Sequence, residues 1–148
     1  MSFSDLEVVS ACVFRPVTLS GRIGQLLTTP PHPSVPAPLK QGLRESAEAY
    51  YRDVDWALDI AAAQFKDGSL YMMPGDKIGR DPATQFLLRR KTFEGMDRRD
   101  LPAIVAAYAG RFESTPFDSL VAAVSTLGAS AEHHLAELEE ARAAGLVE

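Results

Sequence analysis

Residues 39–65 constrain the chain more than any other stretch. Apolar or small side chains recur there at Leu39, Leu43, Ala47, Tyr50, Val54, Leu58, Ala61 and Phe65. Steps of three and four return to one side of an α-helix, because a turn takes 3.6 residues. Lys40, Arg44, Glu45, Glu48, Arg52, Asp53, Asp55 and Asp59 fall between them, as on a rod that is wet outside and dry inside. Pro38 suits a first turn, and Gly68 suits a left-handed stop. The spacing predicts one continuous helix of roughly 42 Å at about 1.5 Å per residue. A helix that long needs a companion to cover its apolar stripe.

The companion is predicted near the C-terminal end of the sequence. Thr115-Pro116-Phe117-Asp118 combines a threonine cap, a proline at the first helical position and an early carboxylate. Leu120, Val124, Leu127, Ala131, Leu135 and Leu138 then step at helical spacing as far as Gly145. Gly128 falls inside that helix at a cost of roughly 1 kcal/mol relative to alanine. Asp81-Pro82 opens a shorter helix to about residue 92. Asp100-Leu101-Pro102 opens another, with Ile104, Val105, Tyr108 and Phe112 as its dry stripe. The expected fold is mostly all-α: two long antiparallel amphipathic helices with two shorter ones packed across them.

Residues 1–29 carry mixed signals. Ser4-Asp5-Leu6-Glu7 has the form of a capping box and predicts a short helix to about Phe14, although Val8, Val9, Cys12, Val13 and Phe14 also suit a strand. Residues 17–28, interrupted by Gly21 and Gly24, fit a short helix over 20–27 or a pair of strands. Prolines at 30, 31, 33, 36 and 38 predict an extended strap. Residues 69–79, with Pro74-Gly75 as the centre of a type II turn, predict a hairpin or an ordered loop. One domain over 1–148 is expected: an N-terminal segment (1–29), the strap (30–38) and a helical bundle (39–148).

Composition excludes several classes. With 46% hydrophobic and 24% charged residues, the chain has material for a core, so disorder over most of its length is excluded. A single cysteine, Cys12, rules out an intrachain disulfide framework and fits a small buried hydrophobe. No apolar run reaches the roughly 20 residues of a bilayer span, and Asp5 and Glu7 stand where a signal peptide carries bases, so a cytoplasmic location is expected. The charge of −5 is uneven: residues 80–112 hold seven bases against four acids, and 113–148 hold one base against seven acids. Such a balance makes nucleic-acid binding unfavourable.

Catalytic patterns are missing. No Gly-x-Ser-x-Gly elbow occurs, and Gly21-Arg22-Ile23-Gly24 is too short to cradle a phosphate. No cofactor is expected. The leading expectation is a non-enzymatic interaction module, a small subunit, adaptor or assembly chaperone that binds a protein partner or a second copy of itself. Large side chains off the dry stripe and one basic concentration mark its surface: Tyr51, Trp56, Tyr71, Met72, Arg89, Arg90, Arg98 and Arg99. One alternative is a metal-binding bundle or enzyme using His133, His134 and Glu137, with Asp55 and Asp59 four apart on the other rod. Another is a regulator that grips an anionic ligand through residues 89–99.

Overall fold

In the computed structural model, residues 3–126 and 128–148 are described, the side chains of residues 3–7 excepted. The chain runs β1 (Phe3–Ser10), β2 (Val17–Thr18), β3 (Gly21–Thr29), α1 (Ala37–Asp53), β4 (Leu58–Asp59), β5 (Ala63–Leu70), β6 (Ile78–Gly79), β7 (Gln85–Arg89), α2 (Arg90–Phe93), α3 (Ala103–Ala109), β8 (Ser119–Ala123) and α4 (Ala131–Ala143). Short 3₁₀ turns cover Gly75–Lys77, Arg98–Asp100 and Gly110–Glu113. The fold is therefore mixed α/β, and the expectation of an all-α helical bundle is overturned.

Neither long rod forms. α1 starts at Ala37, with a proline in its first turn, and stops at Asp53; Val54 is already extended. The second half of the predicted helix becomes β4 and β5. Ala57, Leu58, Ile60, Ala63 and Phe65 are all buried, so more than one face of this segment is dry and a single helical stripe describes it poorly. Leu39, the first residue of that stripe, is 56% exposed. The C-terminal rod breaks for the same reason. Leu120, Val121, Ala122, Ala123 and Val124 form an unbroken apolar run that satisfies helical and strand spacing alike, and the run builds β8 with every residue buried. Gly128, expected inside a helix, stands before α4 at φ 102°, a backbone region that favours glycine. Leu127, placed on the same stripe, lies outside the described residues.

The helix predicted from Asp81-Pro82 is also replaced, by a turn and β7; only Arg90–Phe93 beyond it is helical. The N-terminal helix is replaced by β1, in line with its β-branched residues, while the capping-box side chains lie outside the described ones. A helix does follow Asp100-Leu101-Pro102, and Val105, Tyr108 and Phe112 are buried as its pattern requires.

The main sheet has the order β1-β3-β5-β8-β7. β1, β3 and β5 are mutually parallel, and β8 is antiparallel to both β5 and β7, so β7 runs the same way as β5. A second, wholly parallel sheet of two-residue strands has the order β2-β4-β6. Each short strand directly precedes one long strand, β3, β5 or β7. The small sheet therefore gathers at the amino ends of the main strands. Gln85 ties the two together, its side chain donating to the carbonyls of Ile60 (2.8 Å) and Ala63 (3.2 Å) and accepting from Asp81 N–H (2.7 Å).

Two cores result, one on each face. Ile23, Leu26, Phe65, Leu70, Leu87 and Val121 pack with Tyr51 of α1 on one side; Phe86, Leu88, Leu120 and Ala122 pack with Val105 of α3 and Leu138 of α4 on the other. Ile23 and Leu26 lie three apart yet share a core, and Phe65 and Leu70 lie five apart yet share it too. Odd separations in a regular strand point to opposite faces. β3 and β5 thus turn over side by side, where their register passes Gly24 and Lys66.

Candidate functional site

With the amino ends gathered under the small sheet, the carboxyl ends of β1, β3 and β5 remain open, and a cavity of about 540 Å³ sits there. Ligands of open α/β sheets characteristically bind at that edge, because successive loops diverge from the strand ends and leave a crevice. Ala11 and Cys12 follow β1, Thr29 ends β3 and Pro30 and Pro31 follow it, and Met72 follows β5. Leu43 and Ala47 of α1 and residues 113–117 ahead of β8 close the sides. The wall is largely apolar, and the proline strap forms part of it.

Its rim is polar. Cys12 is exposed, and partial burial pushes its thiol pKa up. A raised thiol is a poor nucleophile, and no histidine is found among the described residues of this cavity. Lys40 donates from Nζ to the carbonyl of Pro33 (2.8 Å), leaving further donors, and Arg44 pairs with Glu48 at 2.8 Å. Ala11 has φ 52° and is, among the described residues, the non-glycine with left-handed backbone. Such conformations are strained for side-chain-bearing residues and persist where surroundings enforce them.

Three buttresses hold the walls. The Tyr51 hydroxyl accepts from Phe14 N–H (2.9 Å), fixing the chain just past Cys12, and its ring stacks edge-on against Tyr50 and Phe117. Burial is the main reason that its pKa is pushed up to about 12. The Thr28 hydroxyl accepts from the N–H groups of Tyr71 (3.0 Å) and Met72 (3.1 Å), while Thr115 donates to the carbonyl of Tyr71. Arg90 donates to the carbonyls of Phe112 (2.9 Å), Thr115 (2.8 Å) and Phe117 (2.8 Å), holding the segment ahead of β8.

The surface residues singled out from sequence do not gather in one place. Tyr51 and Tyr71 are buried at 1% and 3% exposure, Met72 lines the carboxyl-edge cavity, and Trp56 stands 44% exposed between α1 and β4. Arg89 pairs with Asp76 and Glu148, Arg98 with Glu113, and Arg99 with Asp97. Asp59 accepts from Ala61 N–H and Asp55 lies exposed in the loop after α1, so they share no helix face. His133, His134 and Glu137 line a second cavity of about 620 Å³ on the opposite face of the sheet. His133 Nε2 lies 3.6 Å from Glu137 Oε1, and no trio of His, Cys, Asp or Glu among the described residues is arranged to hold a metal ion.

Fold and cavity define an α/β protein with an open carboxyl-edge crevice. Comparison with protein families, with curated protein sequences and with solved structures finds no match. Sequence reasoning named Cys12 and Met72 but missed Lys40, Leu43 and Thr115 as neighbours. The available signal was the strand propensity of Val8 to Phe14: taken as a strand, it puts Cys12 and the proline strap together at strand ends.

Proposed function

We propose that this chain is a binding protein for a small, mostly apolar organic acid, seated in the carboxyl-edge cavity. The observation that carries this is the convergence of three successive strand ends on one apolar crevice with Lys40 and Arg44 on its α1 wall. Ligand pockets combine an apolar lining with a few polar groups that fix orientation, and a carboxylate suits the unused donors of Lys40. The site favours binding over catalysis, since its thiol is raised and no histidine base lines it among the described residues.

Cys12 supplies the test, being the sole cysteine and exposed at the cavity. Alkylation by iodoacetamide, followed by mass spectrometry, is expected to slow in the presence of straight-chain carboxylates between hexanoate and dodecanoate. Leu43→Trp, which fills the cavity, is expected to abolish that protection, and Lys40→Ala to weaken it. An alkylation rate that ignores every member of the series would refute the proposal.

Association with a protein partner or a second copy is supported by exposed apolar side chains, Trp56 between α1 and β4 among them. The same samples separate the two ideas: a partner seated there shields Trp56 from quenchers and leaves Cys12 reactive. No described helix is long and apolar enough to cross a membrane.

A further inference from the structure

The cavity on the other face of the sheet has a different character. Its floor carries Ser69 of β5, which is 6% exposed and whose hydroxyl has no hydrogen-bond partner among the described residues. Buried hydroxyls are nearly always paired, because leaving one unpaired forfeits its hydration without return. An occupant that supplies the missing bond is therefore implied. Lys66 and Arg111 line the same cavity, and neither is ion-paired with a carboxylate among the described residues; Arg111 lies over the Tyr71 ring at 5.3 Å. The first turn of α4 borders it through Ser130, whose side chain makes no capping bond. Helix starts favour negative charge.

Two carboxylates stand in the same walls. Asp67 accepts from the Tyr108 hydroxyl at 3.1 Å, and Glu137 is only 23% exposed. Lys66 and Arg111 against Asp67 and Glu137 leave the lining formally neutral, so a purely anionic guest would be repelled by as many charges as attract it. A molecule carrying both signs meets both. Leu27, Ile104 and Val124 supply an apolar remainder. The turn-over of β5 past Lys66 makes this arrangement possible, since it brings Lys66, Asp67 and Ser69 to one cavity.

We propose that this second cavity binds a free apolar α-amino acid, with its carboxylate taken by Arg111, Lys66, the Ser69 hydroxyl and the start of α4, and its ammonium by Glu137 and Asp67. The ligand class goes beyond the carboxyl-edge cavity and does not depend on it.

Calorimetric titration with leucine, isoleucine, valine, methionine and phenylalanine tests the assignment, alongside N-acetyl-leucine and leucine amide, which each lack one charge. At least one free amino acid is expected to bind saturably, with both blocked forms weaker by about tenfold or more. Ser69→Ala removes an unpartnered hydroxyl, so the empty protein should melt no lower than the parent while the amino acid binds several-fold more weakly. Arg111→Met and Glu137→Gln should each abolish binding. Cys12 alkylation in the same samples reports the other cavity and should not change. Failure of every free amino acid to bind would overturn the proposal, as would equal binding of N-acetyl-leucine or unaltered affinity in Ser69→Ala. A heat-stabilised Ser69→Ala with no ligand bound by the parent would assign the site to water alone.

Discussion

Gln85 is 1% exposed, and it places an amide where the small sheet meets the large one. Both ends of that amide are satisfied: Nε2 reaches two carbonyls and Oε1 takes an N–H. A buried amide so matched costs little, but deleting it takes a partner from each backbone group it serves. Gln85→Leu keeps the volume and is expected to destabilise the protein by about 2 kcal/mol, because the Ala63 carbonyl and the Asp81 N–H lose the amide as a partner, while the Ile60 carbonyl still accepts from Ala63 N–H. Urea unfolding checks it; a loss under about 1 kcal/mol would mean that water replaces the amide. Thr28 at 2% exposure does similar work at the far end of β3, where its hydroxyl takes over from the ladder.

Among elements, the segment ahead of β8 has three of its carbonyls held by one side chain. Arg90 follows β7, lies with its guanidinium 5.2 Å from the Phe112 ring centre, and pins three carbonyls with its fork of donors. A lysine cannot match that planar geometry. Arg90→Met is expected to cost roughly 2–4 kcal/mol and Arg90→Lys to restore less than half of it, read as a lower urea midpoint at unchanged slope. How far the elements were legible follows from which signals are local. Pro36-Ala37-Pro38 and Asp100-Leu101-Pro102 open helices by backbone chemistry alone, and α1 and α3 begin there. β7 and β8 are covered on both faces, so Phe86, Leu87, Leu120 and Val121 show no alternation, and an unbroken apolar run fits a helix equally well. The candidate sites were less legible still. Cys12, Lys40 and Met72 share a cavity only because β1, β3 and β5 pair and α1 packs beside them, and Ser69 shares one with Arg111 and Glu137 only through the placement of the turn after α3 and of α4. No spacing within one segment encodes such meetings.

At the scale of the whole molecule, a buried tyrosine stands on each face of the sheet. Tyr51 is held up to about 12 chiefly by burial, and burial followed by the Asp67 carboxylate raises Tyr108 as well. The unfolded chain releases both protons near pH 10, before the folded one does. Their contribution to stability is therefore complete below about pH 10 and is lost as pH rises through the folded values. Unfolding midpoints should hold steady up to about pH 10 and fall by about pH 12, with Tyr51→Phe and Tyr108→Phe each flattening part of the slope. A midpoint that does not change over that range would show that both hydroxyls stay wet. The sheet's one reversed strand bears on how the molecule is made. β8 lies between β5 and β7 but follows both along the chain. During synthesis at about 5–20 residues per second, roughly 50 residues separate β5 from β8, so the ribosome releases β5 with one rim bare for about 3–10 s. A nascent chain in that interval offers its rim to any extended peptide nearby.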